Sequence, residues 1–225
     1  MYLYLRNDFS TALSFCKTVI DESEKLNNIS IQVLAMLNTG ILYSVLGEYS
    51  TAYTLCAEAI KKIKQNQLYN RYLFAYTLMF DILTMRRQYS EAFSYKAKIE
   101  SMLNDKRILQ IPDYLILYIQ TSMKILSMFG EYEQERKMLM KYYKSEGIQF
   151  EIRNLLFELY LEINKLASRE SDDISKLKSY YIKIFTNSKY TNLLYTGFSN
   201  ILSILRQLIT VRHDIDFSPI LKCVA

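Results

Sequence analysis

LNTGILYSVLGEYSTAYTLCAEAI, Leu37 to Ile60, is the stretch that decides the fold. Gly40 and Tyr43 suit a first helix, Gly47-Glu48 a turn, and Tyr49, Ala52 and Ala59 a second helix returning along the first. A glycine inside a helix costs about 1 kcal/mol against alanine, so Gly40 needs a packing reason. Close approach of the second helix supplies one: Ala52 faces Gly40 across the crossing, and Tyr43 and Tyr49 fill the flanks.

Outward from this hairpin the same pattern returns. DFSTALSFC (8–16), EYSTAYTLC (48–56) and QYSEAFSYK (88–96) place Ala12, Ala52 and Ala92 at a period of 40, each behind an aromatic residue at the same offset: Phe9, Tyr49 and Tyr89. Self-similarity at a fixed period of this size marks stacked supersecondary units. A third unit, from about Leu73 to Leu103, carries Phe80 where the glycine would sit. In a fourth, from about Ile116 to Ser145, Gly130-Glu131-Tyr132 repeats the turn Gly47-Glu48-Tyr49. There Glu135 holds the alanine place, and a looser crossing is expected. The first unit begins part-way into its first helix at Met1, as expected of a fragment of a longer protein or of a degenerate unit.

Gly40, Tyr43, Gly47, Tyr49, Ala52 and Ala59 resemble the tetratricopeptide repeat at six of its signature places: the small residue and aromatic of the first helix, the turn glycine, and the aromatic and two alanines of the second. Met36 stands where that family usually has Trp, Cys56 where it has an aromatic, and Lys64 where it has Pro. The period exceeds the family's roughly 34 residues, and such long repeats are similar to those of bacterial regulators and peptide-pheromone receptors. The resemblance covers residues 1 to about 145 and fades beyond. It implies an all-α fold, a right-handed superhelical array of antiparallel helix pairs. Residues 1–147 would hold the repeats, with the first incomplete. Residues 148–225 would continue the same array as degenerate repeats and a capping segment.

In that last stretch, Ile152, Leu155, Leu156, Leu159, Ile163 and Leu166 lie on one helical stripe. Asp172-Asp173 suit the start of a following helix, whose apolar face runs from Leu177 to Phe185. Leu194-Tyr195-Thr196-Gly197 loosely copies Leu37-Asn38-Thr39-Gly40, which predicts another first helix, and Asp214 to Ala225 reads as a tail or short cap.

Composition agrees. Half the residues are hydrophobic, and five Gly and two Pro leave little material for hairpin turns between strands. Twenty Tyr suggest bulky packing between helices with hydroxyls at the rim. The net charge of +5 is modest and spread along the chain, with Lys61-Lys62 and Arg86-Arg87 at helix ends. A nucleic-acid surface needs tighter clustering, so direct nucleic-acid binding is not expected. Cys16 and Cys56 are one period apart and read as small, reduced core residues of a cytoplasmic protein. The run Asn192 to Val211 contains Arg206, Gln207 and several hydroxyl and amide residues, so no membrane span is expected.

Chemistry is scarce in this sequence. His213 is its one histidine, which excludes a multi-histidine metal site. Neither GxxxxGK[ST] nor GxGxxG occurs, and Asp21-Glu22 and Asp172-Asp173 read as solvated. No enzyme, metal or cofactor is expected. The resemblance instead implies a binding surface lined by the first helices. Mapped onto this chain, it gives Asn38 and Ile41 in the second unit, Asp81 and Thr84 in the third, and Gln120 and Lys124 in the fourth. Asn38 is the sharpest of these, because a carboxamide both donates to and accepts from a peptide backbone. The expected function is that of a peptide- or protein-interaction module, the sensory or docking region of a bacterial regulator. The alternatives are an oligomerisation scaffold, such as a homodimer, and more remotely a nucleic-acid binder.

Overall fold

The computed structural model describes residues 8–103, 112–143, 151–185 and 204–221. Among them the regular structure is helical throughout, with no strand. In chain order the helices are α1 (Phe9–Lys25), α2 (Ile29–Val45), α3 (Tyr49–Gln65), α4 (Tyr72–Met85), α5 (Tyr89–Leu103), α6 (Pro112–Met128), α7 (Tyr132–Tyr143), α8 (Glu151–Ala167), α9 (Ser175–Phe185), α10 (204–211) and α11 (Ser218–Leu221). A short 3-10 turn, Tyr69–Arg71, leads into α4. No helix of the described residues is long and apolar enough to cross a membrane. Two compact units divide the chain, Met1–Tyr118 and Ile119–Ala225, so the division falls inside α6.

In the first unit each helix packs on its neighbours in sequence, α1 on α2, α2 on α3, α3 on α4 and α4 on α5. α2 also touches α4, so that one first helix meets the next. The Ala52, Cys56, Ala59 and Ile63 stripe of α3 is completely buried. Small residues at this spacing let a helix approach those on both sides of it. Gly40 uses that closeness: a Cβ built there would lie 3.3 Å from Leu78 Cδ2 of α4 and 3.7 Å from the Ala52 carbonyl oxygen of α3. The predicted small-on-small crossing is present, and the next repeat's first helix closes over it.

α4 carries almost no polar face. Leu73 to Thr84 is buried at every position except Tyr76, the pattern of a helix surrounded by others. Phe80, which replaces the glycine of the second unit, is completely buried, with its ring centroid 6.3 Å from that of Tyr118. Thr77 and Thr84 return their hydroxyls to the carbonyls of Leu73 and Phe80 at 2.7 and 2.8 Å, which meets the hydrogen-bonding demand of a buried hydroxyl. Cys56 is equally enclosed, its thiol donating to the Ala75 carbonyl at 3.4 Å, and burial pushes its pKa up. Cys16 is only half-buried, because α3 is gripped between α2 and α4 whereas α2 is the sequence neighbour that α1 packs on.

The turns share one construction. Asn27, Gly47, Gln67, Arg87, Gly130 and Arg169 have φ of +51, +82, +54, +60, +70 and +62°. After each of them the next N–H reaches back to the carbonyl five residues earlier, at 2.8–3.0 Å. Together with the bond from each left-handed residue's own N–H, this is a Schellman closure, which satisfies carbonyls that a helix end leaves open. The first four stand twenty residues apart, so the 40-residue period is two equal helix-and-turn halves. Left-handed geometry costs a residue with a Cβ about 1 kcal/mol or more. Gln67→Gly and Arg87→Gly should therefore each raise stability by about 0.5–1 kcal/mol, and Gly47→Ala should lower it by about 1 kcal/mol, as read from urea unfolding midpoints.

In the second unit α8 packs on α7 and on α9, and α9 touches α11. The predicted stripe of α8 is confirmed at Leu156, Leu159, Ile163 and Leu166, all buried, with Leu155 half-buried. Asp173 opens α9 as expected, accepting from the Ser175 N–H at 2.8 Å, whereas Asp172 is taken by Arg212. The Arg212 side chain is 1% exposed. Its Nη1 donates to the carbonyls of Leu166 at 2.6 Å and Ser171 at 3.2 Å. Nε and Nη2 each reach the Asp214 carboxylate at 2.9 Å, and Nη2 also binds Asp172. Glu135, which holds the alanine place of the fourth unit, is completely buried. The predicted helix around Leu194 to Gly197 and the third cysteine, Cys223, lie outside the described residues.

Candidate binding site

α2 presents one open stripe. Ile31 and Asn38 are exposed, and Leu34, Ile41 and Val45 are half-buried. These five positions alternate three and four residues apart and therefore run along one line of the helix. Asn28 starts the helix by accepting from the Ile31 N–H at 3.2 Å. Val33, Met36, Leu37 and Leu42 turn the other way and are buried. The result is a shallow apolar strip with one carboxamide near its middle. Asn38 carries two donors and an acceptor there, enough to hold one peptide unit of an extended chain.

The other expected positions are placed differently. Asp81, Thr84, Gln120 and Lys124 are all buried. The Thr84 hydroxyl is committed to its own helix, at the Phe80 carbonyl. Gln120 donates from Nε2 to the Tyr160 hydroxyl of α8 at 2.6 Å, a contact inside the second unit. Asp81 lies close enough to Tyr49 for its charge to raise the phenol's pKa, after burial, which acts more strongly. Only Asn38 and Ile41 of the six are therefore open to a ligand in this conformation. The reason is local: α4 is enclosed nearly all round, and the α6 residues Gln120 to Lys124 are buried without a break, whereas α2 keeps one edge free.

The chain matches no known family model, no curated protein and no solved structure. Function is therefore argued from its own residues. Among the described residues no group of three or more His, Cys, Asp or Glu lies close enough to hold a metal ion. His213 is exposed and stands beside Arg212, whose five N–H groups are taken by Leu166, Ser171, Asp172 and Asp214. Ile31 and Val45 extend the α2 strip beyond the residues read from the sequence. Each lies seven residues, about two turns, from Asn38, and that spacing was the signal that could have added them.

Proposed function

We propose that this chain is a non-enzymatic, tetratricopeptide-like interaction module, the sensory or docking region of a cytoplasmic bacterial regulator. Its hairpins would continue one another in a right-handed superhelix, and the open strip of α2 would take an extended peptide or protein segment. The observation that carries this reading is Asn38, an exposed carboxamide set in a line of half-buried apolar side chains on a helix otherwise packed into the array. Leu34 and Ile41 would supply the apolar area, and Asn38 would fix the register of the bound backbone. A buried hydrogen bond contributes about 1 kcal/mol, and leaving its partner unmet costs about 1–3 kcal/mol. Asn38→Ala should therefore weaken binding about tenfold, and Ile41→Asp should abolish it. The measurement is calorimetry against a peptide selected from a random library on the wild-type protein. Equal affinities for wild type and both variants would remove the α2 strip as the site.

A second reading is an oligomerisation scaffold, and α1 favours it. Phe15 and Leu26 are 63% and 76% exposed on or beside a helix whose cysteine is half-buried. Sedimentation over a hundredfold range of concentration separates the two. A monomer throughout excludes the scaffold, whereas a dimer dispersed by Phe15→Glu supports it.

A further inference from the structure

Three helices of the second unit meet at Glu135. It follows Tyr132 by three residues, as Ala12, Ala52 and Ala92 follow Phe9, Tyr49 and Tyr89, and like those alanines it is buried, to 0% exposure. Its Oε2 accepts from Ser127 Oγ of α6 at 2.8 Å. Its Oε1 is buried with no hydrogen-bond partner among the described residues.

The neighbouring cation is turned elsewhere. Arg136 Nη2 lies 2.6 Å from the Glu170 carboxylate. Its Nε and Nη2 donate to Asn164 Oδ1 of α8 at 3.0 and 2.9 Å, and Nη2 reaches Ser168 Oγ at 3.3 Å. Asn164 in turn gives its Nδ2 to the Tyr132 carbonyl at 2.9 Å, which ties α8 to the start of α7. The groups facing Glu135 are thus Ser127 from α6, Asn164 from α8, and Tyr132 and Arg136 from α7. Lys124 lies one turn earlier on α6, and Lys165 on α8 holds Glu162 at 2.7 Å.

We propose that Glu135 is a proton-operated latch: uncharged, it lets α7 close between α6 and α8, and on releasing its proton to solvent it puts an unbalanced charge into the crossing and loosens α7. A buried carboxylate whose nearest donors, the Ser127 hydroxyl and the Asn164 amide, are both neutral is costly in its ionised form. Its place in the first turn of α7 favours an anion but does not outweigh enclosure. Burial pushes its carboxyl up to about 7, against smaller opposing pulls from the Ser127 hydroxyl, the Asn164 amide and the Arg136 charge.

With α7 open, the group ionises in its ordinary range near 4.5. The latch's contribution is therefore complete below that pH, is lost as pH rises toward 7, and changes no further above it. Opening of α7 should rise by up to tenfold per pH unit inside the window, about fortyfold from pH 5 to pH 7. Hydrogen–deuterium exchange of residues 132–143 in the full chain measures this, with protection factors corrected for the intrinsic rate at each pH. Wild type should lose about fortyfold in protection over that interval and then level off. Glu135→Gln, and Glu135→Ala with the residue of the other crossings, should stay flat. Equal slopes in all three proteins would overturn the latch. A carbon-13 titration of the wild-type Glu135 carboxyl stands independently of whether the variants fold. A midpoint near 7 supports the latch, and one near 4.5 overturns it.

Discussion

Arg212→Ala should destabilise the second unit by about 2–4 kcal/mol, from unmet carbonyl hydrogen bonding and lost packing. One guanidinium ties the end of α8, through the Leu166 carbonyl, and the following loop, through the Ser171 carbonyl and Asp172, to the start of the C-terminal segment, where Asp214 also holds it. The loss does not come chiefly from the two carboxylates, since Asp172 is 81% exposed and rehydrates at once. It comes from the Ser171 carbonyl, which loses its donor, from the Leu166 carbonyl, which keeps only the Arg169 N–H, and from the space vacated inside the unit. Arg212→Lys should recover little of it, because one ammonium cannot reproduce a planar fork that serves two carbonyls and two carboxylates together.

The acid limb gives a second handle on the same clamp. The Arg212 guanidinium holds the Asp214 carboxyl down, to about 2. That contribution to stability is present above the ordinary carboxylate range and is lost as pH falls through about 2. In Arg212→Ala that pH dependence should disappear, because Asp214 then ionises at nearly the same pH folded and unfolded. Urea unfolding followed between pH 2 and pH 6 reads both effects. A variant that unfolds at the wild-type urea concentration would show that the clamp is not what holds these segments.

Gly40→Leu should cost about 3 kcal/mol, whereas Gly40→Ala should change stability little. In the alanine variant two effects of similar size oppose each other. Removing an internal helical glycine gains about 1 kcal/mol. The new methyl, however, stands 3.3 Å from Leu78 Cδ2, so that side chain must yield by a few tenths of an ångström. A leucine cannot be absorbed by one flexible chain end, because the Ala52 backbone oxygen lies behind it at 3.7 Å and does not move without α3. Overpacking of this kind costs about 1–3 kcal/mol, and here it falls where three helices touch. Thermal unfolding of the two variants side by side tests the crossing. A Gly40→Leu protein as stable as the alanine variant would mean that α2, α3 and α4 separate easily.

The hairpins were legible because their signal is compositional and local. Ala12, Ala52 and Ala92 sit behind aromatics at a fixed stride, and their burial follows from the crossings that such residues permit. The turns at Asn27, Gln67, Arg87 and Arg169 were not legible. A Schellman closure is made by backbone atoms and tolerates a residue with a Cβ at modest cost, so only Gly47 and Gly130 announced it in the sequence. Arg212 stayed hidden for a different reason: its partners Leu166 and Asp172 are some forty residues away, and two of its acceptors are carbonyls that every residue owns. Glu135 was visible as a substitution, but whether a crossing opens around a larger residue or swallows it depends on neighbours that no local pattern specifies. The candidate site divided along the same line. Asn38 and Ile41 lie on a helix with a free edge, while Asp81, Thr84, Gln120 and Lys124 occupy matching places on enclosed stretches of α4 and α6.

The even spacing of the left-handed turns at Asn27, Gly47, Gln67 and Arg87 also bears on how such a chain can change its length. Each turn hands the chain on at the same point of a helix's rotation, so a cut after one and a join after the next but one meet in matching orientation. Gain or loss of a whole hairpin within the first unit leaves the buried face of the next helix buried. One added residue inside a helix swings everything after it by about 100°. Under drift, lengthening by whole modules is mechanically silent in this chain, and single-residue slippage is not.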